Sequence, residues 1–196
     1  PIEFVHTQKK FKITQREIGT DTEDFHSALR SAMRQDPDVI LIGEMRDPET
    51  ISIALKAAET GHIVFSSIHT TNAVATIGRI ISMFPANEQV EVRKRLSENL
   101  FATVGQRMLK GKKPKSVYIA QEIMLTGPGI KECILGQEDI SRINTIIASG
   151  KGKRNSGPQT FDQHIFELYE KGLISKSVAL EAATSESDFN QKLIVD

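Results

Sequence analysis

The chain has 196 residues, with 25 Lys and Arg against 25 Asp and Glu, and hence no formal net charge. Charged residues at 26% beside hydrophobic ones at 39% exclude a disordered acidic or basic tail, and the balance of charge argues against a life on nucleic acid or an anionic membrane. Aromatics make up 6% without any Trp, which leaves no stacking platform for single strands, and the one cysteine, Cys133, excludes a disulfide framework or a multi-thiolate zinc site.

The length allows one to two domains. Residues 1–20 read as strand and loop. Thr20 with Glu23 predicts a capping box, and Phe25, Ala28, Leu29, Ala32 and Met33 then recur at helical spacing up to the stop at Asp36-Pro37. Val39-Ile40-Leu41-Ile42 follows, apolar without alternation, and predicts a fully buried strand of a parallel sheet. Asp47 and Pro48 predict a helix start, Ile51, Ala54, Leu55 and Ala58 its apolar stripe, and Gly61 its end. Ile63–Ile68 predicts the next strand. Asn72 caps a helix carrying Ile77, Ile80 and Ile81. Val90, Leu96, Leu100, Val104 and Met108 predict a longer helix, and Ser116–Met124 a third strand.

This alternation argues for an α/β domain built on a mainly parallel sheet. Past residue 125 the pattern turns helical, on Ile134, Ile140, Ile143, Ile146 and Ile147. A flexible loop is expected at 151–158, and then three short helices on Phe161/Ile165/Leu168, Val178–Ala182 and Phe189/Leu193. No apolar run approaches the ~18–20 residues of a membrane span. Cys133, among Ile130, Ile134 and Leu135, reads as a buried thiol.

The strongest chemical signal is Gly43-Glu44-Met45-Arg46-Asp47 at the carboxyl end of a buried strand, where α/β proteins bind ligands. There Glu44 can polarise an attacking water or hold Mg²⁺ through water, or it can be a plain ion-pair partner. His62 and His69 bracket the next strand. Their separation of seven places them on opposite faces and lacks a metal-binding spacing. His69, at the carboxyl end, can read a phosphate; His62, at the other end, suits a structural or subunit-contact role. GxxxxGK[ST], the loop that wraps phosphates in backbone N–H groups, does not occur. From Glu88 to Lys115 eight basic residues stand against three acidic ones, as a basic face or as ordinary surface.

Asp36–Thr50 resembles the Walker B segment of the type II/type IV secretion ATPase superfamily. Ala57–His62, continued through Ile68-His69-Thr70-Thr71-Asn72-Ala73, resembles its His box, and Pro1-Ile2-Glu3-Phe4 the tail of its Asp box. Gln15–Gly19, Gly105–Leu109 and Gln159–Gln163 match in the same order. The resemblance is to the pilus-retraction, twitching-motility branch of the superfamily. It implies a RecA-like ATPase core over 1–125 and a small helical C-terminal subdomain over 126–196. It also implies ATP with Mg²⁺, a homo-hexameric ring, and an inner-membrane pilus platform protein as partner at the cytoplasmic face.

Carried over by resemblance, Glu44 is the Walker B glutamate, Glu3 the Asp-box glutamate, and His62 and His69 the His-box pair. Arg46 lies inside the Walker B signature as a charge bridge. Gly43 stands where many such strands carry Asp, which leaves no direct metal ligand there and shifts weight to Glu3 and water. Assembly members of the superfamily commonly hold a four-cysteine zinc insertion after the Gln-Arg-Leu-like segment. Here Arg107-Met108-Leu109 runs through a short basic loop into the next strand, which favours retraction over assembly. The absent phosphate loop and an opening in mid-motif lead us to expect a part of a longer motor. The alternatives are an accessory retraction or related secretion ATPase, or a non-catalytic interaction module.

Overall fold

The computed structural model describes residues 2–150 and 157–195, without the side chains of 188 and 192–195. Pro1, most of the loop expected at 151–158 and the side chain of Leu193 lie outside the described residues. The chain divides into two compact units, Pro1–Ile68 and His69–Asp196.

The first unit holds α1 (Phe25–Ala32), β1 (Val39–Ile42), α2 (Pro48–Glu59) and β2 (Ile63–Ser66). β1 and β2 pair in parallel, from Val39 opposite Ile63 to Ile42 opposite Ser66. The ends of α2 follow from its sequence. Asp47 accepts the Thr50 N–H at 2.7 Å, and Pro48 takes the first helical position, where a missing N–H is harmless. Gly61, at φ +95°, adopts the left-handed conformation that turns the chain into β2. Ile40 and Ile42 of β1 pack with Leu29 of α1 and with Ala54 and Ala57 of α2. Burying a side chain of the Ile or Leu size stabilises by roughly 1.5–3 kcal/mol.

Three expectations for this unit need correction. Among the described residues, 2–20 form no strand; Ile18 makes an isolated bridge to Thr22. The cap of α1 is Asp24 rather than Thr20, because Asp24 is extended and its Oδ1 accepts the Ser27 N–H at 2.6 Å. Within this unit β1 is covered on one face. Ile40 and Ile42 face the helices, while Val39 (52% exposed), Leu41 (70%), Ile63 (56%) and Phe65 (58%) form an uncovered apolar face. Apolar residues on both faces announce burial on both, and here α1 and α2 supply cover for only one.

The second unit holds α3 (Ala73–Ser82), α4 (Gln89–Asn99), β3 (Ala102–Lys110), β4 (Val117–Leu125), α5 (Pro128–Leu135), α6 (Arg142–Gly150), α7 (Phe161–Glu170), α8 (Lys176–Ala182) and α9 (Glu186–Val195). Asn72 caps α3 by accepting the Ala75 N–H, as expected. The helix expected to run through Met108 stops at Asn99, and the third strand pairs antiparallel with β3 instead of extending a parallel sheet. Val104 and Met108 are four apart, a separation that suits a helix face and a strand face equally.

One face of the β3–β4 hairpin packs Leu109 and Ala120 against Phe161, Ile165 and Leu168 of α7, with Ala179 and Phe189 beyond. Gly105 permits this close approach: an added Cβ would lie 2.9 Å from Phe161 Cζ. The short basic loop after Leu109, residues 110–115, is the exposed turn of the hairpin, closed by the Gly111 N–H to Ser116 O at 2.9 Å. Cys133 is buried on α5, and burial pushes its thiol pKa up. Among the described residues no helix is long and apolar enough to cross a membrane.

Candidate functional site

The carboxyl edge of the β1–β2 pair is stitched by its own loops. Ser67 Oγ donates to Gly43 O at 2.6 Å, and the Met45 N–H donates to Ser67 O at 3.0 Å. These bonds fix the backbone on both sides of Glu44. Its side chain is 23% exposed and its Oε1 lies 2.5 Å from Arg46 Nη2; the Arg46 side chain is 75% exposed. Asp47, next along, is taken up by α2, because its second oxygen accepts the Thr50 hydroxyl at 2.8 Å. Glu44 is therefore the carboxylate of this loop that stands apart from the helix cap, partly sheltered and oriented by one guanidinium.

His62 stands at the other end of β2. The parallel register sets it beside the entry to β1, about 15–20 Å along the strands from Glu44 at ~3.3 Å per residue. Its Nδ1 is 3.0 Å from Ala57 O and 3.1 Å from Thr60 Oγ1. A carbonyl only accepts, so Nδ1 carries the proton, and His62 closes the carboxyl end of α2. His69 opens the second unit as an exposed residue just ahead of α3. Glu3 is exposed, on a stretch tied down by Gln15. That amide donates to Phe4 O at 2.8 Å and accepts the His6 N–H at 2.7 Å.

Two roles carry no sequence signal: Gln15, which lies in a matching motif but shows its backbone contacts only in the structure, and Ser67. Gln15 and Ser67 bond to backbone far along the chain, and no local pattern marks such partners.

The family described as "Type II/IV secretion system protein" matches residues 5–156. The chain belongs to this family. It is 46% identical over 188 residues to a "Twitching motility protein" of Neisseria gonorrhoeae, covering 95% of this chain and 49% of that protein. It is 45% identical over 189 residues to a "Type IV pilus retractation ATPase PilT" of Pseudomonas aeruginosa, covering 96% of this chain and 54% of that protein. A solved structure, "Crystal Structure of the Pilus Retraction Motor PilT and Bound ADP", superimposes with a TM-score of 0.85 at 39% identity, over 97% of this chain and 52% of that one. The chain thus spans about half the length of the curated relatives it matches.

The secretion-family fold is the RecA-like α/β fold expected above. Glu44, Arg46, His62 and His69 lie within the family match, and Glu3 lies just ahead of it.

Proposed function

We propose that this chain is the part of a pilus-retraction motor ATPase that carries the water-activating carboxylate, in a protein coupling ATP hydrolysis to pilus disassembly and twitching motility. The observation that carries the reading is the place of Glu44, a sheltered carboxylate at the carboxyl edge of a parallel strand pair. The names of the relatives at 45–46% identity support it. Glu44 would orient the attacking water and take its proton, and Arg46 would hold the carboxylate in one orientation. Glu3 would add a second carboxylate from the stretch pinned by Gln15. His69 would contact phosphate ahead of α3, and His62 would keep α2 in place.

Among the described residues no three His, Cys, Asp or Glu side chains gather as a metal cage. Glu44, a sheltered oxygen donor, would hold Mg²⁺ through water beside the nucleotide, and the ion would neutralise charge on the phosphates. The phosphate loop motif is not among these 196 residues, so the reading assigns the loop that wraps the phosphates to the rest of the protein and leaves His69 a single contact. It further assigns a homo-hexamer with nucleotide near subunit interfaces. A pilus platform protein of the inner membrane would be the partner at the cytoplasmic face, and nucleic acid would not be one. The ATPase part would span 1–125 and the helical subdomain 126–196.

A second reading, an interaction module without turnover, draws on the missing phosphate loop and on the uncovered face of Val39, Leu41, Ile63 and Phe65. Turnover and nucleotide affinity of Glu44→Gln in the full-length gene product separate the two.

A further inference from the structure

A charged group sits deep in the second unit, where the ATPase reading has no use for it. Glu122 on β4 is 5% exposed, with Ala120 and Met124 on either side fully buried. Its Oε1 accepts the backbone N–H of Ala73 at 2.7 Å. Ala73 is the first residue of α3, so the carboxylate meets the positive end of that helix. The chain ahead of α3 is tied to the same turn. Asn72 accepts the Ala75 N–H at 2.8 Å, and the hydroxyls of Thr70 and Thr76 stand 2.7 Å apart. Fixing the start of α3 therefore fixes the segment that leads back to His69.

The other side of Glu122 faces the C-terminal helices. Gly105 is its cross-strand partner, and Arg107, two residues on, projects from the same face of β3. The Arg107 guanidinium lies 3.9 Å over the Phe161 ring, at the start of α7, and its Nη1 donates to Ala182 O at 2.8 Å, at the end of α8. Ala120 stands opposite Arg107, so Arg107 and Glu122 are diagonal cross-strand neighbours on one face, a spacing that long side chains of opposite charge can span. One buried carboxylate thus stands between the start of α3 and a cation that grips two later helices.

A glutamine or an apolar side chain would fill this place at a smaller desolvation cost. A charge does what neither can: it attracts the helix terminus on one side and the guanidinium on the other. We propose that Glu122 is a positioning residue: through the first turn of α3 it sets where the His69–Asn72 segment stands, and through Arg107 it ties that segment to α7 and α8. On the motor reading this tie would carry a shift near the nucleotide to the C-terminal helices. The tie itself does not depend on that reading, and its test needs no nucleotide.

The test is hydrogen exchange, resolved by residue, on the chain and its Glu122→Gln, Glu122→Asp and Arg107→Gln variants at one pH, with melting temperatures alongside. Gln keeps the acceptor and loses the charge, so Glu122→Gln should melt at or above the unsubstituted chain at neutral pH. Exchange at Ala73–Thr76 should nevertheless quicken about fivefold, because a charge-assisted bond has become a neutral one. A purely structural role would move melting and local exchange together. Glu122→Asp, whose carboxylate is drawn back by one methylene, should loosen Ala73–Thr76 further. Arg107→Gln should quicken exchange at Ala182–Thr184 and also, by more than twofold, at Ala73–Thr76. The proposal is overturned if Glu122→Gln leaves Ala73–Thr76 within twofold of the unsubstituted chain. It is equally overturned if the Arg107→Gln effect stays at Ala182–Thr184, or if both Glu122 variants loosen the second unit uniformly.

Discussion

Arg46 reaches back over one residue to place its guanidinium 2.5 Å from Glu44 Oε1, while most of its own length stays in solvent. A pair with one partner so exposed contributes little to folding, with a typical worth of about 0–1 kcal/mol. Its consequence is directional, because the guanidinium holds one carboxylate oxygen in place. Arg46→Ala should therefore change unfolding free energy by less than about 1 kcal/mol yet lower ATP turnover of the full-length protein well below that of the unsubstituted enzyme. Denaturant unfolding and steady-state turnover check this together. Full turnover in the variant would reduce the ion pair to surface decoration.

His62 gives the opposite expectation. Its Nδ1–H bond to Ala57 O holds the end of α2, and a lost hydrogen bond of this kind costs about 0.5–1.5 kcal/mol. His62→Ala should lose stability by that order in denaturant titration and leave nucleotide affinity unchanged in the full-length protein. A large fall in affinity with unchanged stability would make His62 a ligand-binding residue.

Gly105 should tolerate no side chain. Its added Cβ would meet Phe161 Cζ at 2.9 Å in a packed core, and overpacking of this kind costs typically about 1–3 kcal/mol. Gly105→Ala should show that loss in equilibrium unfolding. Glycines with open space around them and an ordinary φ, such as Gly78 on α3, should accept alanine with no loss.

Stability should also carry a signature of Glu122. Burial raises its carboxyl pKa above the ordinary value; the Ala73 N–H and Arg107 oppose the rise, and Asp162 adds to it. The fold then binds this proton more tightly than the unfolded chain does. The resulting stabilisation is complete below the unfolded carboxyl value of about 4.3 and fades as pH rises through the higher folded value. The unsubstituted chain should therefore gain stability relative to Glu122→Gln as pH falls from 7 toward 4.5. Denaturant midpoints at several pH values measure it, and a pH-independent difference between the two contradicts the assignment.

Much of the fold was legible because it is written locally. Asp47, Gly61 and Asn72 mark helix ends through bonds to residues three away, Pro48 does so by lacking an N–H at the first position, and all four stand where the spacing put them. β1 and β2 were legible as apolar runs. β3 was not, because Val104 and Met108 are compatible with either period, and only pairing with β4 decides between them. The one-sided cover of β1 is likewise a matter of what packs on it, which lies beyond its own four residues. At the site, Glu44 was legible from its place after a strand. Its pairing with Arg46 was a guess from motif position, and the Ser67–Gly43 bond that steadies the loop spans 24 residues with no trace in the local pattern.

The central claim is that Glu44 activates water in an ATP-hydrolysing protein. Its most direct test is Glu44→Gln in the full-length gene product, with ATP turnover and nucleotide affinity measured on the same preparation. The substitution keeps shape and removes the base, and such a loss typically costs about 10²–10⁴-fold in rate. The account predicts a fall in turnover of that order with nucleotide affinity retained. Turnover within a fewfold of the unsubstituted protein would contradict it.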